Sequence, residues 1–158
     1  MKLRLLVAAI LAISAVGAFA HDAVEVENAW ARATVKGQMG TGAFMTITAK
    51  EKLTLVGGSS PVAGVTKVHE MKMVDGVMKM AELKGGLELP AGKAVELKPG
   101  GYHVMLMDLK QPLEKDSTVP LTLVFKDAKG VESKLDLKLP VNAMVMGIGV
   151  GAAPAVKP

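Results

Sequence analysis

His69-Glu70-Met71-Lys72-Met73-Val74-Asp75-Gly76-Val77-Met78-Lys79-Met80 reads as two alternating β-strands joined by a two-residue turn. Asp-Gly between such flanks is a strong hairpin signal, because both turn residues tolerate positive φ. With Asp75 and Gly76 as the whole loop, Val74 pairs with Val77, Met73 with Met78, and Met71 with Met80. Side chains alternate along a strand, so His69, Met71, Met73, Met78 and Met80 share one face. Met80 then faces Met71 directly. His69 lies on the diagonal, about 7–8 Å away between backbones, a gap that long side chains close.

The same period-2 pattern extends outward in both directions. Val24 to Trp30, Ala43 to Thr48, Val65 to Met71, Val77 to Leu83, Ala94 to Leu97, His103 to Leu109, Val119 to Phe125 and Val131 to Leu139 all read as strands. Between them stand turn signals: Gly57-Gly58-Ser59-Ser60-Pro61, Asp75-Gly76, Gly85-Gly86, Pro90-Ala91-Gly92, Lys98-Pro99-Gly100-Gly101 and Lys129-Gly130. No helical apolar pattern of useful length follows the N-terminal segment. About eight short strands with frequent turns predict an all-β, antiparallel sandwich or barrel.

The N-terminus reads as an export signal. Lys2 and Arg4 precede an apolar run from Leu5 to Phe19, and Ala18-Phe19-Ala20 presents small residues at a cleavage site. Cleavage after Ala20 is expected, with no stable membrane insertion afterwards and a periplasmic location. The chain carries 19 Lys and Arg against 15 Asp and Glu. Two of those basic residues leave with the signal, so the mature protein is nearly balanced. Its lysines are scattered and its aromatics few, which argues against a nucleic-acid partner. The remaining 138 residues suffice for one core without staples. The chain has no cysteine, so neither a disulfide nor a thiol contributes to fold or chemistry.

A second strand repeats the chemistry of the hairpin. His103-Val104-Met105-Leu106-Met107 places His103, Met105 and Met107 on one face. Imidazole nitrogen with thioether sulfur is a donor set for a soft monovalent ion, above all Cu(I). Methionine in a strand is also ordinary core filler, and a lone histidine on a half-buried face is often only hydrogen-bonded. Spacing alone leaves both readings open. Neither a Gly-x-Ser-x-Gly elbow nor a phosphate-binding loop occurs, so the chain is not expected to be an enzyme. Trp30 and Arg32 read as a core indole and a surface guanidinium.

With these residues in view, the sequence resembles the PCu(A)C family of periplasmic copper chaperones. Their hallmark is a histidine, a methionine eleven positions on, and a later His-x-Met. His69 and Met80 are eleven apart, and His103-Val104-Met105 begins 23 residues after Met80. Asn28-Ala29-Trp30-Ala31-Arg32, Ser59-Ser60-Pro61 and Leu97-Lys98-Pro99-Gly100-Gly101-Tyr102 add to the likeness, which runs from about Trp30 to Leu139. The resemblance implies a cupredoxin-like antiparallel β-sandwich of Greek-key type. It also implies that His69, Met80, His103 and Met105 ligate Cu(I), with Met71, Met73, Met78 and Met107 as surrounding apolar or spare thioether groups. The implied role is delivery of copper to the CuA centre of cytochrome c oxidase subunit II, with other periplasmic copper proteins as alternative acceptors, by a protein expected to be monomeric.

The division that follows is a signal at 1–20, a copper-binding domain at 21–146 and a flexible tail at 147–158. Three rival roles remain at this level. One is a Cu(II)-binding redox protein using His21, the new N-terminus after cleavage, as a histidine brace. Another is general periplasmic copper tolerance or storage, and the third is an exported β-sandwich adhesion or scaffolding module without metal. Family members with a His/Met-rich tail take Cu(II) there, whereas this tail region offers Met144 and Met146 but no histidine.

Overall fold

The Asp75-Gly76 turn closes as its sequence requires, with φ of 51° at Asp75 and 76° at Gly76. Two consecutive positive values match a type I′ turn, whose twist suits the strands it joins. The surrounding register is the expected one: Val74 opposite Val77, Met73 opposite Met78, Met71 opposite Met80. These features come from a computed structural model of the chain, which describes residues 18–19 and 22–143. Of the expected signal at 1–20, only residues 18–19 are therefore described. His21, Met144, Met146 and the tail at 147–158 lie outside the described residues.

Among the described residues, eleven strands follow in chain order: β1 (Ala18–Phe19), β2 (Val24–Arg32), β3 (Gly40–Ala49), β4 (Leu53–Ser59), β5 (Ala63–Val74), β6 (Val77–Glu82), β7 (Leu87–Leu89), β8 (Ala94–Leu97), β9 (Tyr102–Leu109), β10 (Thr118–Lys126) and β11 (Glu132–Asn142). No α-helix occurs among those residues, and no helix there is long and apolar enough to cross a membrane. The strands run in the order β6-β5-β9-β3-β2-β11-β10-β4-β7, with β8 also on β3 and β1 on β11. Strand β9 lies between β5 and β3 although distant from β3 in sequence, a long return of the Greek-key kind. The all-β expectation holds, and most pairings are antiparallel. Two short ones are parallel, β1 with β11 and β11 with β2.

The path folds into two layers, and the apolar faces meet between them. Met45, Ile47, Val68, Val104 and Leu106 come from the β3–β5–β9 side; Leu55, Leu121, Leu123, Phe125 and Leu139 come from the β4–β10–β11 side. Each fully buried large side chain contributes about 1.5–3 kcal/mol of transfer free energy, which makes this interior the main stabilising feature.

Strands β4 and β7 are absent from the sequence-based expectation. Gly57-Gly58 reads as a turn but lies inside β4, where the pairing with β10 shifts register between Val124 and Phe125. A Cβ on Gly58 would collide with the Thr122 carbonyl, so these glycines serve a bulge and a close backbone approach.

Candidate metal centre

Alternation on β9 separates two kinds of residue. Val104 and Leu106 point into the sandwich and are fully buried, whereas His103, Met105 and Met107 take the opposite, outer face. His103 is directly opposite His69 on β5, and Met105 is opposite Gly42 on β3. Met71 on β5 is opposite Met80 on β6. The outer face of one sheet therefore gathers the histidines and methionines that two distant segments, the hairpin and β9, supply.

The two imidazoles stack, with ring centroids 5.9 Å apart and planes 16° from parallel. Both are well covered, His69 at 8% and His103 at 7% exposure, while Met80 is 49% exposed. His103 Nδ1 lies 3.3 Å from the Gly101 carbonyl, and its Nε2 lies 3.3 Å from Met80 Sδ. A carbonyl accepts better than a thioether, so the single proton of the neutral ring belongs on Nδ1. That tautomer leaves the Nε2 lone pair facing a sulfur that has no proton to offer. Two bare donors at this separation suit a shared ion: tetrahedral zinc, as a reference, takes nitrogen at about 2.0 Å and cysteine sulfur at about 2.3 Å, which puts such donors roughly 3.5 Å apart.

His69 Nδ1 is buried without a hydrogen-bond partner. An orphaned buried nitrogen costs about 1–3 kcal/mol, which a ligand at this position would recover. Burial, opposed by the Gly101 hydrogen bond and aided by the nearby His69 and Arg32 charges, lowers the pKa of His103. The ring thus stays neutral and able to bind metal to lower pH than an ordinary histidine. Beside His69, Lys67 donates to Glu82 at 2.9 Å across β5 and β6. That hydrogen bond holds the Glu82 carboxyl below its usual range.

A cleft of about 290 Å³ opens beside His103, lined among others by Met71, Met80, Met105, Phe44 and Arg32. Three of the four expected ligands, Met80, His103 and Met105, border it. His69 does not, and joins the group through its stacked ring. Met73, Met78 and Met107 lie outside the cleft lining. Among the described residues, no three His, Cys, Asp or Glu side chains gather as a harder ion would need. The donor set is neutral nitrogen and sulfur.

Several lining residues escape sequence reasoning. Gly40 leaves room for Met105, whose Cε would sit 3.1 Å from a Cβ there. Phe44 folds back over Gly42 and packs on Trp30, with ring centroids 4.7 Å apart. Trp30 is thus half-buried on the outer face rather than in the core. Arg32 is not a free surface residue either: its guanidinium lies 5.2 Å from the Phe44 ring centre, and its Nε is buried without a partner. The register pairing of Trp30 with Phe44 is the signal that could find this group, and it is visible only once β2 and β3 are aligned.

An all-β sandwich with a histidine–methionine cluster on its outer face defines the class: a cupredoxin-like domain bearing a soft donor set. The chain belongs to the LpqE-like family, described as "Putative lipoprotein LpqE-like", which matches residues 24–140. It is 37% identical over 106 residues to "Putative lipoprotein Lxx21020" of Leifsonia xyli subsp. xyli (strain CTCB07), covering 67% of this chain and 64% of that protein. The chain therefore spans less than two thirds of that relative's length. Among solved structures, the apo PCuAC domain from PmoF1 is 24% identical with a TM-score of 0.59, covering 77% of this chain and 94% of that one. The solution structure of CuI-DR1885 from Deinococcus radiodurans is 31% identical with a TM-score of 0.55, covering 77% and 78%. The first of these establishes the fold alone.

Proposed function

We propose that this chain is an extracytoplasmic Cu(I)-binding chaperone in which His69, Met80, His103 and Met105 hold the ion. The observation that carries the reading is His103 Nε2 facing Met80 Sδ at 3.3 Å, with the His69 ring stacked alongside. A neutral set with two thioethers favours Cu(I) over Cu(II). One structural neighbour, 31% identical, is a Cu(I)-loaded protein, which supports copper as cargo. The family and the relative are both described by the words "Putative lipoprotein", which supports an envelope location and accords with the export signal expected from the sequence.

Lacking a thiolate, the centre holds copper less tightly than a cysteine acceptor does. Transfer to the cysteines of the CuA centre in cytochrome c oxidase subunit II is then downhill. An incoming thiolate displaces exposed Met80 first, and the ion remains Cu(I) throughout. Binding and transfer are the activity, with no catalytic step.

Anaerobic titration against a Cu(I) competitor tests this. The protein should take one tightly held equivalent, and the Met80→Ala/Met105→Ala variant should lose it. Mixed with a soluble CuA domain lacking metal, the loaded protein should give up its copper. Unchanged affinity in the double variant would refute the assignment, and copper retained against the CuA domain would refute the acceptor.

A further inference from the structure

Beyond that centre, the tip of the β5–β6 hairpin carries a second pair of thioethers. Met73 and Met78 are register partners two residues outward from Met71 and Met80. The Leu83 amide donates to the Val68 carbonyl across the hairpin, whereas the Met71 amide donates away from it, to Gly101. Odd-numbered β5 positions are therefore the non-hydrogen-bonded pairs, where facing side chains come closest. Met73–Met78 and Met71–Met80 both fall at such positions.

Both outer methionines are exposed. Met73 is 64% exposed and Met78 44% exposed, on an edge where no further strand follows β6 in the described sheet. Exposed edges are ordinarily guarded by charge. Here Lys72 and Lys79 take the opposite face, and on the thioether face the charges of the two strands, Lys67 and Glu82, pair with each other inward of Met71 and Met80. Strand rise puts the two methionine pairs roughly 7 Å apart, within reach of the flexible Met71 side chain between them.

We infer that Met73 and Met78 form a second, weaker site for a soft monovalent cation, from which Cu(I) passes along Met71 to the inner centre. The inference rests on the proposed inner centre as the destination. Two thioethers without imidazole bind such an ion more loosely than the inner group. The site is also open to solvent. It is therefore suited to uptake and release rather than retention.

Full-length mature protein labelled at methionine methyl groups, titrated anaerobically with Ag(I), tests the inference. The first equivalent should shift the Met80 and Met105 methyl signals. Further Ag(I) should shift Met73 and Met78 together, with at least tenfold weaker affinity, while core Met45 stays still. Met73→Leu/Met78→Leu should abolish the second step and leave the first intact. Stationary Met73 and Met78 signals, or a second step that survives the double substitution, would overturn the inference. Failure of Met80 and Met105 to respond would instead count against the inner centre, so the two proposals fail separately.

Discussion

The two faces of β9 differ in what they do with the same backbone. Inward, Val104 and Leu106 are sealed against the opposite layer; outward, His103 and Met105 face a cleft. Methionine shows the contrast most plainly. Met45 is 2% exposed and fills the interior, whereas Met80 is 49% exposed and borders the cleft. Stability is concentrated on one face and donor chemistry on the other, so substitutions on adjacent residues should have separable effects.

The largest effect should come from the inner face. Leu106→Ala should lower unfolding free energy by about 2–5 kcal/mol, read from the urea midpoint, while Cu(I) affinity of the folded protein stays near normal. Met105→Ala should do the reverse. Stability should change by less than about 1 kcal/mol, since the side chain is only half-buried. Affinity for Cu(I) should fall roughly 100-fold, the upper end of what losing even an outer-shell partner costs, or about 2.7 kcal/mol. If both substitutions acted alike, the division between faces would be wrong.

Gly42→Ala sharpens the comparison between them. Its Cβ would lie 2.7 Å from the Phe44 ring, which is wedged against Trp30 and Arg32. Overpacking of this kind costs about 1–3 kcal/mol, visible in thermal melts, and should widen the cleft enough to weaken Cu(I) binding. The smallest effect is that of pH. The folded pKa of His103 is depressed by burial, so below about pH 6.5 the unfolded chain binds the proton more readily. Apo stability should be full above that value and decline as pH falls through the depressed folded pKa. Denaturation midpoints taken across this range should follow that course, and a stability rising on acidification would contradict it.

The hairpin is legible from sequence because a two-residue turn leaves no freedom in register. Parity alone then places Met71, Met73, Met78 and Met80. The joining of His69 to His103 is not legible, because nothing local says that β9 lies beside β5. Glycine misleads at Gly57-Gly58, where the same residue that permits a turn also permits a bulge. Arg32 and Phe44 escape for a related reason: their place in the cleft depends on pairing between β2 and β3 and on the glycines beneath them.

X-ray absorption on the Cu(I)-loaded protein probes the donor set directly. Two sulfur and two nitrogen neighbours around the ion are expected, with one sulfur lost in Met80→Ala. A shell of nitrogen and oxygen alone would show that the thioethers stand aside from the metal.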